Sequence, residues 1–262
     1  MGFFERIGNG FSIGFFSIFY PFKHPRLYVY TLIQAIIMGM TLAFVGMTTI
    51  TQRLLLTSPN NLFLLGVYVV GYTLGSIVFV GLVRTAVGGY QGKSYGFFQA
   101  MELTGKQWFY IFLFTLLNIL VNQLPMPTLA LVYIPLIFLF SIVSCFFIPV
   151  VVFEPTGFFN IIGRSLRYFG RGIIEVIVSL IVAFILMGLL FGTFAFSLIS
   201  LVGIEQIQLA ARGSITWLSL FMPVMWLIVI FGIILWIFGT GLATITPTMY
   251  DYLTHDRKNP LN

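Results

Sequence analysis

The run GFFNIIGRSLRYFGRGIIEVIVSLIVAFILMGLLFGTFAFSLISLV, from Gly157 to Val202, decides what kind of protein this is. Its first part is amphipathic at helical spacing. Phe158, Phe159, Ile162, Leu166, Phe169 and Ile173 fall on one face, and Arg164, Arg167 and Arg171 gather on the other. From Ile173 to Val202 that periodicity dissolves into continuous apolar sequence, longer than the roughly 20 residues that cross about 30 Å of hydrocarbon. The stretch reads as an interfacial helix, with its rings in the acyl boundary and its guanidinium groups among headgroups, that runs on into a membrane span.

The whole chain shares this character. Of its 262 residues 59% are hydrophobic and only 8% charged, where a soluble domain carries about 25% charged residues, and the mean hydropathy is +1.05. We expect an all-α, polytopic transmembrane bundle with six spans arranged as three hairpins. The spans run over Leu27 to Ile50, Leu62 to Val83, Gln107 to Gln123, Leu129 to Val152, Ile173 to Val202, and Ile215 to Thr246. A single membrane domain, 1–262, then divides into interfacial segments 1–26, 84–106 and 153–172, hairpins 27–83, 107–152 and 173–246, and a tail, 247–262.

Basic residues set the orientation, because short cytoplasmic loops retain Lys and Arg. With both termini inside, Arg6, Lys23, Arg26, Arg84, Lys93, Lys106, Arg164, Arg167, Arg171, Arg257 and Lys258 lie on the inner side, against Arg53 and Arg212 outside. A multi-pass protein of the plasma (inner) membrane is expected. The net charge of +6 is spread beside apolar runs and fits anionic headgroups rather than nucleic acid. No cleavable signal peptide or myristoylation signal is read at the N terminus.

Two other segments resemble the amphipathic stretch. Near the N terminus Phe3, Phe4, Ile7, Phe11, Phe15 and Ile18 oppose Glu5, Asn9 and Ser12; in the middle Phe97, Phe98, Met101 and Trp108 oppose Gln99, Glu102 and Lys106. A Gly-Phe-Phe triplet occurs in each segment, at Gly14, Gly96 and Gly157, and once more at Gly2. Either three diverged copies of a helix plus hairpin underlie this recurrence, or the interface has selected the same residues independently.

The chemistry that would mark an enzyme is missing from the pattern. Cys145 is single and lies in an apolar run, and His24 and His255 stand apart, so neither metal spacing nor a nucleophile with its base can be read. We expect no enzyme activity and no cofactor. The tail cluster Asp251, His255 and Asp256 reads as a solvated end. No ionisable residue lies deep in a span; Glu175 comes nearest, and an i,i+4 ion pair with Arg171 is expected for it. Gln34, Asn118 and Asn122 are the candidate intramembrane polar residues, which either border a solute or tie helices together. The pairs Gly71 and Gly75, and Gly188 and Gly192, permit close helix approach.

One stretch goes further. From Pro149 the chain reads PVVVFEPTGFFNIIGRS, ending at Ser165. Glu154, Gly157, Arg164 and Ser165 resemble a pattern in a broad group of prokaryotic six-helix membrane proteins, mostly uncharacterised, that includes the membrane domain of glycerophosphodiester phosphodiesterases. Ile161 and Leu166 depart from that pattern, where Ala and Trp are frequent. The resemblance implies the six-span architecture and no catalytic role, since phosphodiester hydrolysis would belong to a separate soluble domain. Physically, Glu154 favours a helix start, Gly157 serves the turn from span to surface, and Arg164, Arg167 and Arg171 are candidate contacts for anionic lipid.

The expected function is therefore membrane or envelope organisation, lipid contact, or support of a membrane-protein partner. The alternative is a passive permease or channel for a small solute, with an anion drawn by the inner basic rim as one option.

Overall fold

The computed structural model describes residues 2–51, 60–123, 130–154, 156–212 and 222–255, and among these every regular element is helical. The order is α1 (Phe3–Lys23), α2 (Arg26–Thr51), α3 (Asn60–Tyr90), the short α4 (Phe97–Met101), α5 (Gly105–Gln123), α6 (Ala130–Phe153), α7 (Phe158–Val202) and α8 (Ile204–Ala211). A 3-10 turn (Met222–Val224) then leads into α9 (Met225–Ala243) and α10 (Ile245–Thr254).

Among the described residues four stretches are long and apolar enough to cross a membrane: Arg26–Phe44, Phe63–Tyr90, Phe158–Val202 and Met222–Thr254. Two shorter apolar helices accompany them, Gly105–Val121 and Leu139–Phe153. The chain is thus a helical membrane protein with four full-length candidate spans. The expected span starts at Leu129 and Ile215, and the charges Arg53, Arg257 and Lys258, lie outside the described residues. So does the side chain of Asn122.

Helix α7 carries the predicted junction inside it. Its backbone leaves helical geometry at Gly172 (φ −106°, ψ 17°), the last residue of the expected interfacial segment. A Cβ on Gly172 would stand 2.8 Å from a methyl of Leu253, so α10 packs into the bend itself.

The N-terminal helix differs from its expected placement. Phe3, Phe4, Phe11 and Phe15 are exposed as an interfacial helix requires, but Ile18 is buried, with Gly10, Ile13, Gly14, Ser17 and Tyr20. The face opposite the phenylalanines is not left in water. It packs along α7 in the same direction, Arg6 meeting Arg171 and Glu175, Gly10 meeting Val178, and Gly14 meeting Val182. A Cβ on Gly10 would lie 2.7 Å from Val178 Cβ, and Ser179 donates to the Gly10 carbonyl at 2.8 Å. Even Asn9, from the expected polar face, donates to the Tyr252 hydroxyl of α10. Spacing revealed one apolar stripe; glycine removed the side chains that would have revealed the second.

Close approach recurs where α2 meets α3. A Cβ on Gly71 would run into Thr41, and one on Gly75 would stand 3.1 Å from Met38 Sδ, so this pair serves packing within the chain. Gly188 and Gly192 face open space. Helix α3 ends with Gly92 at φ +69°, where Lys93 N–H returns to the Gly88 carbonyl at 2.7 Å. That left-handed cap needs glycine.

Packing is tightest at one end of the bundle. Val80, Val83 and Val87 of α3, Phe146, Phe147, Val150 and Val151 of α6, and Met249, Tyr250 and Tyr252 of α10 form the main core there. Further along α7 and α9, Phe184, Leu189, Phe196 and Val229 are exposed, as lipid-facing residues are in a bundle whose solvent is hydrocarbon. We call the packed end the collar.

Gly241 offers the sharpest test of this packing, because a Cβ there would stand 2.6 Å from the backbone Cα of Ile18 in α1, while one on Gly239 would meet nothing within 4 Å. Gly241→Ala is expected to cost about 1–3 kcal/mol through overpacking, and Gly239→Ala to be neutral or slightly stabilising. Melting of the detergent-solubilised variants checks the difference.

A charged collar and an intramembrane cavity as candidate sites

The centre of the collar is a buried carboxylate. Glu175 has no exposed surface, and Arg6 of α1 grips it with two bonds, Nε to Oε1 at 2.9 Å and Nη2 to Oε2 at 2.7 Å. The same Nη2 donates to the Arg171 backbone carbonyl at 2.6 Å. Arg171 was the expected partner through its side chain; the structure places the long-range Arg6 in the bidentate position. Helix α1 covers the carboxylate, and the guanidinium that arrives with it answers the charge under that cover.

A second carboxylate organises the far side of the collar. Glu154, just past the end of α6, accepts from Arg164 on one oxygen, and from Tyr168 (2.6 Å) and Tyr250 (3.0 Å) on the other. One side chain thereby joins α6, α7 and α10. Burial acts against its charge, but the bonds from Tyr168, Arg164 and Tyr250 outweigh that, and its pKa lies below the ordinary carboxylate value. Arg164, expected to face lipid, spends its guanidinium on Glu154 and remains partly exposed. Arg167 and Arg171 are exposed. Ser165 is fully buried and bonds back to the Ile161 carbonyl, serving packing. Tyr168 and Tyr250 were not singled out from sequence, which carries no signal for two hydroxyls that meet a carboxylate 14 and 96 residues away.

Other polar groups of the collar finish helix ends. Arg84 donates to the carbonyls of Gln99, Ala100 and Glu102, closing the C-terminal end of α4. Arg26 donates to the Tyr95 carbonyl. Thr104 and Gln107 form a capping box at the start of α5, and the Gln107 amide also donates to the Val151 carbonyl of α6 at 2.8 Å. Asp251 and His255 pair at 3.1 Å on α10; Asp256 lies outside the described residues. Among the described residues no three His, Cys, Asp or Glu side chains group together.

The Gly-Phe-Phe triplets acquire a common geometry here, in a register different from the expected one. Gly2, Gly96 and Gly157 each occupy the N-cap of a helix, with φ between −74° and −65° and ψ of 155° to 160°. Gly14 is mid-helix, so Gly2 is the true counterpart. The cap N–H of Gly2 bonds Glu5 and that of Gly96 bonds Gln99, both at 3.2 Å. In all three triplets the two rings meet edge to face, at 75°, 83° and 78°, and the second ring is strongly exposed: Phe4 84%, Phe98 78%, Phe159 84%. Gly157 was expected to permit a sharp turn, but its φ of −68° is open to any residue and its surroundings leave room for a side chain.

Away from the collar, α3, α5 and α6 enclose a cavity of about 530 Å³. Asn118 lines it, together with the hydroxyls of Tyr68, Tyr72, Ser76, Thr115 and Ser144. The other candidate amide, Gln34, is half-buried with its stem beside Gly75, in the α2–α3 contact.

Two tests follow from the collar. Arg6→Gln strands the Glu175 charge and is expected to cost about 3–5 kcal/mol, whereas adding Glu175→Gln restores much of the loss; a melting comparison of the single and double variants reads this directly. Because the folded pKa of Glu154 is depressed, its contribution is fully present above the ordinary value of 4.5 and is lost as pH falls through the lower folded value. The melting temperature should therefore drop on acidification, with part of the drop abolished in Glu154→Gln, and Tyr168→Phe, which lets the folded pKa rise toward the ordinary value, should make the drop smaller and complete it at higher pH.

No protein-family model, curated protein or solved structure matches this chain, so the resemblance read from Pro149 to Ser165 rests on its motif alone.

Proposed function

We propose that this protein is a non-enzymatic, multi-pass protein of the plasma membrane that holds and organises lipid at its cytoplasmic face. The collar lies on that face, both termini are cytoplasmic, and α5 and α6 complete six crossings. The observation that carries the reading is the triply repeated Gly-Phe-Phe start, which sets one exposed ring, Phe4, Phe98 or Phe159, at the beginning of α1, α4 and α7. An exposed Phe at a helix N terminus beside basic side chains fits the acyl boundary, where the ring leaves water and the cations meet headgroups. Arg167 and Arg171 are the proposed contacts for anionic lipid, at about 1 kcal/mol per charge. Arg164 contributes less, since Glu154 already neutralises it. A membrane-protein partner would share this face.

The second reading, a passive permease, is favoured by one observation: Asn118 lines a cavity between α3, α5 and α6. Among the described residues its lining has no charged side chain, which favours an uncharged solute over an anion.

Spin labels placed singly at positions 4, 98 and 159, in a Cys145→Ser background reconstituted in anionic vesicles, test the lipid reading. All three are expected to be more accessible to oxygen than to a water-soluble nickel complex. Nickel-accessible labels at two or more of the positions would overturn it.

A further inference from the structure

The cavity between α3, α5 and α6 has two unlike halves. Its collar side is apolar, with Phe79, Phe114 and Ile148, and behind these lies the packed core of Val83, Phe147 and Val151. Its far side, by position along α3 and α5, carries Tyr68, Tyr72, Thr115 and Asn118. The hydroxyl protons of Ser76 and Ser144 are given to the carbonyls one turn back, Tyr72 and Phe140, at 2.8 and 2.7 Å. With those protons engaged, either oxygen can meet a ligand only as an acceptor. Tyr72 accepts from Tyr68 at 2.9 Å and keeps its own proton to give. Hydroxyls set around an aromatic and aliphatic floor at membrane depth ask for a molecule that answers both.

We infer that this cavity is a binding site for a small uncharged molecule that joins a hydroxyl or carbonyl head to a compact apolar body. The size lies within the 300–1,000 Å³ of ordinary ligand sites, as the volume of about 530 Å³ shows. An ion is a poor occupant, because among the described residues no charged side chain lines the cavity to offset its desolvation. The head sits among Tyr72, Ser76 and Asn118, and the body lies on Phe79 and Phe114. The site is a property of the cavity itself and holds whether or not a solute passes through the protein.

The full chain in detergent, photolabelled with a diazirine-bearing octanol and mapped by peptide mass spectrometry, tests the site. Saturable labelling of α3, α5 and α6 lining residues is expected, displaced by 1-octanol and at least tenfold less well by octanoate at neutral pH. Ser144→Phe, which fills the cavity, and Asn118→Leu, which removes a head contact, should each lower the labelling about tenfold, in protein whose melting shows it folded. Labelling spread equally over lipid-facing α7 and α9, equal displacement by octanoate, or full labelling of folded Ser144→Phe would each overturn the assignment. If the site labels while solute flux is absent, the permease reading fails and the binding site stands.

Discussion

The bidentate pair of Arg6 and Glu175 is the interaction on which the collar depends. A carboxylate with no exposed surface keeps its charge only beside a cation, and the cation here arrives from a helix 169 residues away in the sequence. That requirement fixes α1 in rotation and in depth. Once Arg6 is seated, Gly10 and Gly14 must face α7, and Ile18 must face Gly241 of α9; each contact is close enough to refuse a Cβ or crowd one. Ion pair and glycine contacts thus specify one another, since the bond length demands the close approach and the glycines permit it.

The remaining collar charges follow the same rule. Arg84 and Arg26 meet backbone carbonyls, and Arg164 meets Glu154. Near hydrocarbon an unsatisfied helix end is expensive, and a guanidinium with several donors can close such an end while its charge stays near headgroups. The excess of basic residues therefore has two physical duties. Part of it binds this protein together, and the lipid contact proposed above would draw on Arg167 and Arg171, whose side chains are exposed.

Helical class, candidate membrane spans and the bend before Ile173 were legible because hydrophobic period and span length are local properties. So was the role of Gly71 and Gly75 in packing. What escaped was everything decided between distant segments. Glu175 had a plausible neighbour in Arg171, and no local pattern could rank Arg6 above it. Glu154 showed its position but not its two tyrosines. The triplets were visible, yet Gly14 and Gly2 are identical as strings, and only the helix start distinguishes the one that caps from the one buried against Val182. Asn118 and Gln34 looked alike for a similar reason: the side an amide presents depends on the neighbouring helices, and one lines the cavity while the other lies beside Gly75 of α3.

Collar and cavity are also joined by a continuous set of rings. Phe114, in the cavity floor, stacks on Phe147 at 3.9 Å, and Phe147 meets Phe158 edge to face at 6.2 Å. Phe158 opens α7 and shares its triplet with the exposed Phe159. A few residues on either side, Glu154 and Arg164 clamp α6 to α7. The floor of the cavity therefore cannot withdraw toward the collar without moving a ring that sits between the exposed Phe159 and an ion pair. Packed rings of this kind have few alternative arrangements, so the cavity floor and the exposed ring of Phe159 bear on the same short segment, Glu154 to Arg164, from opposite sides.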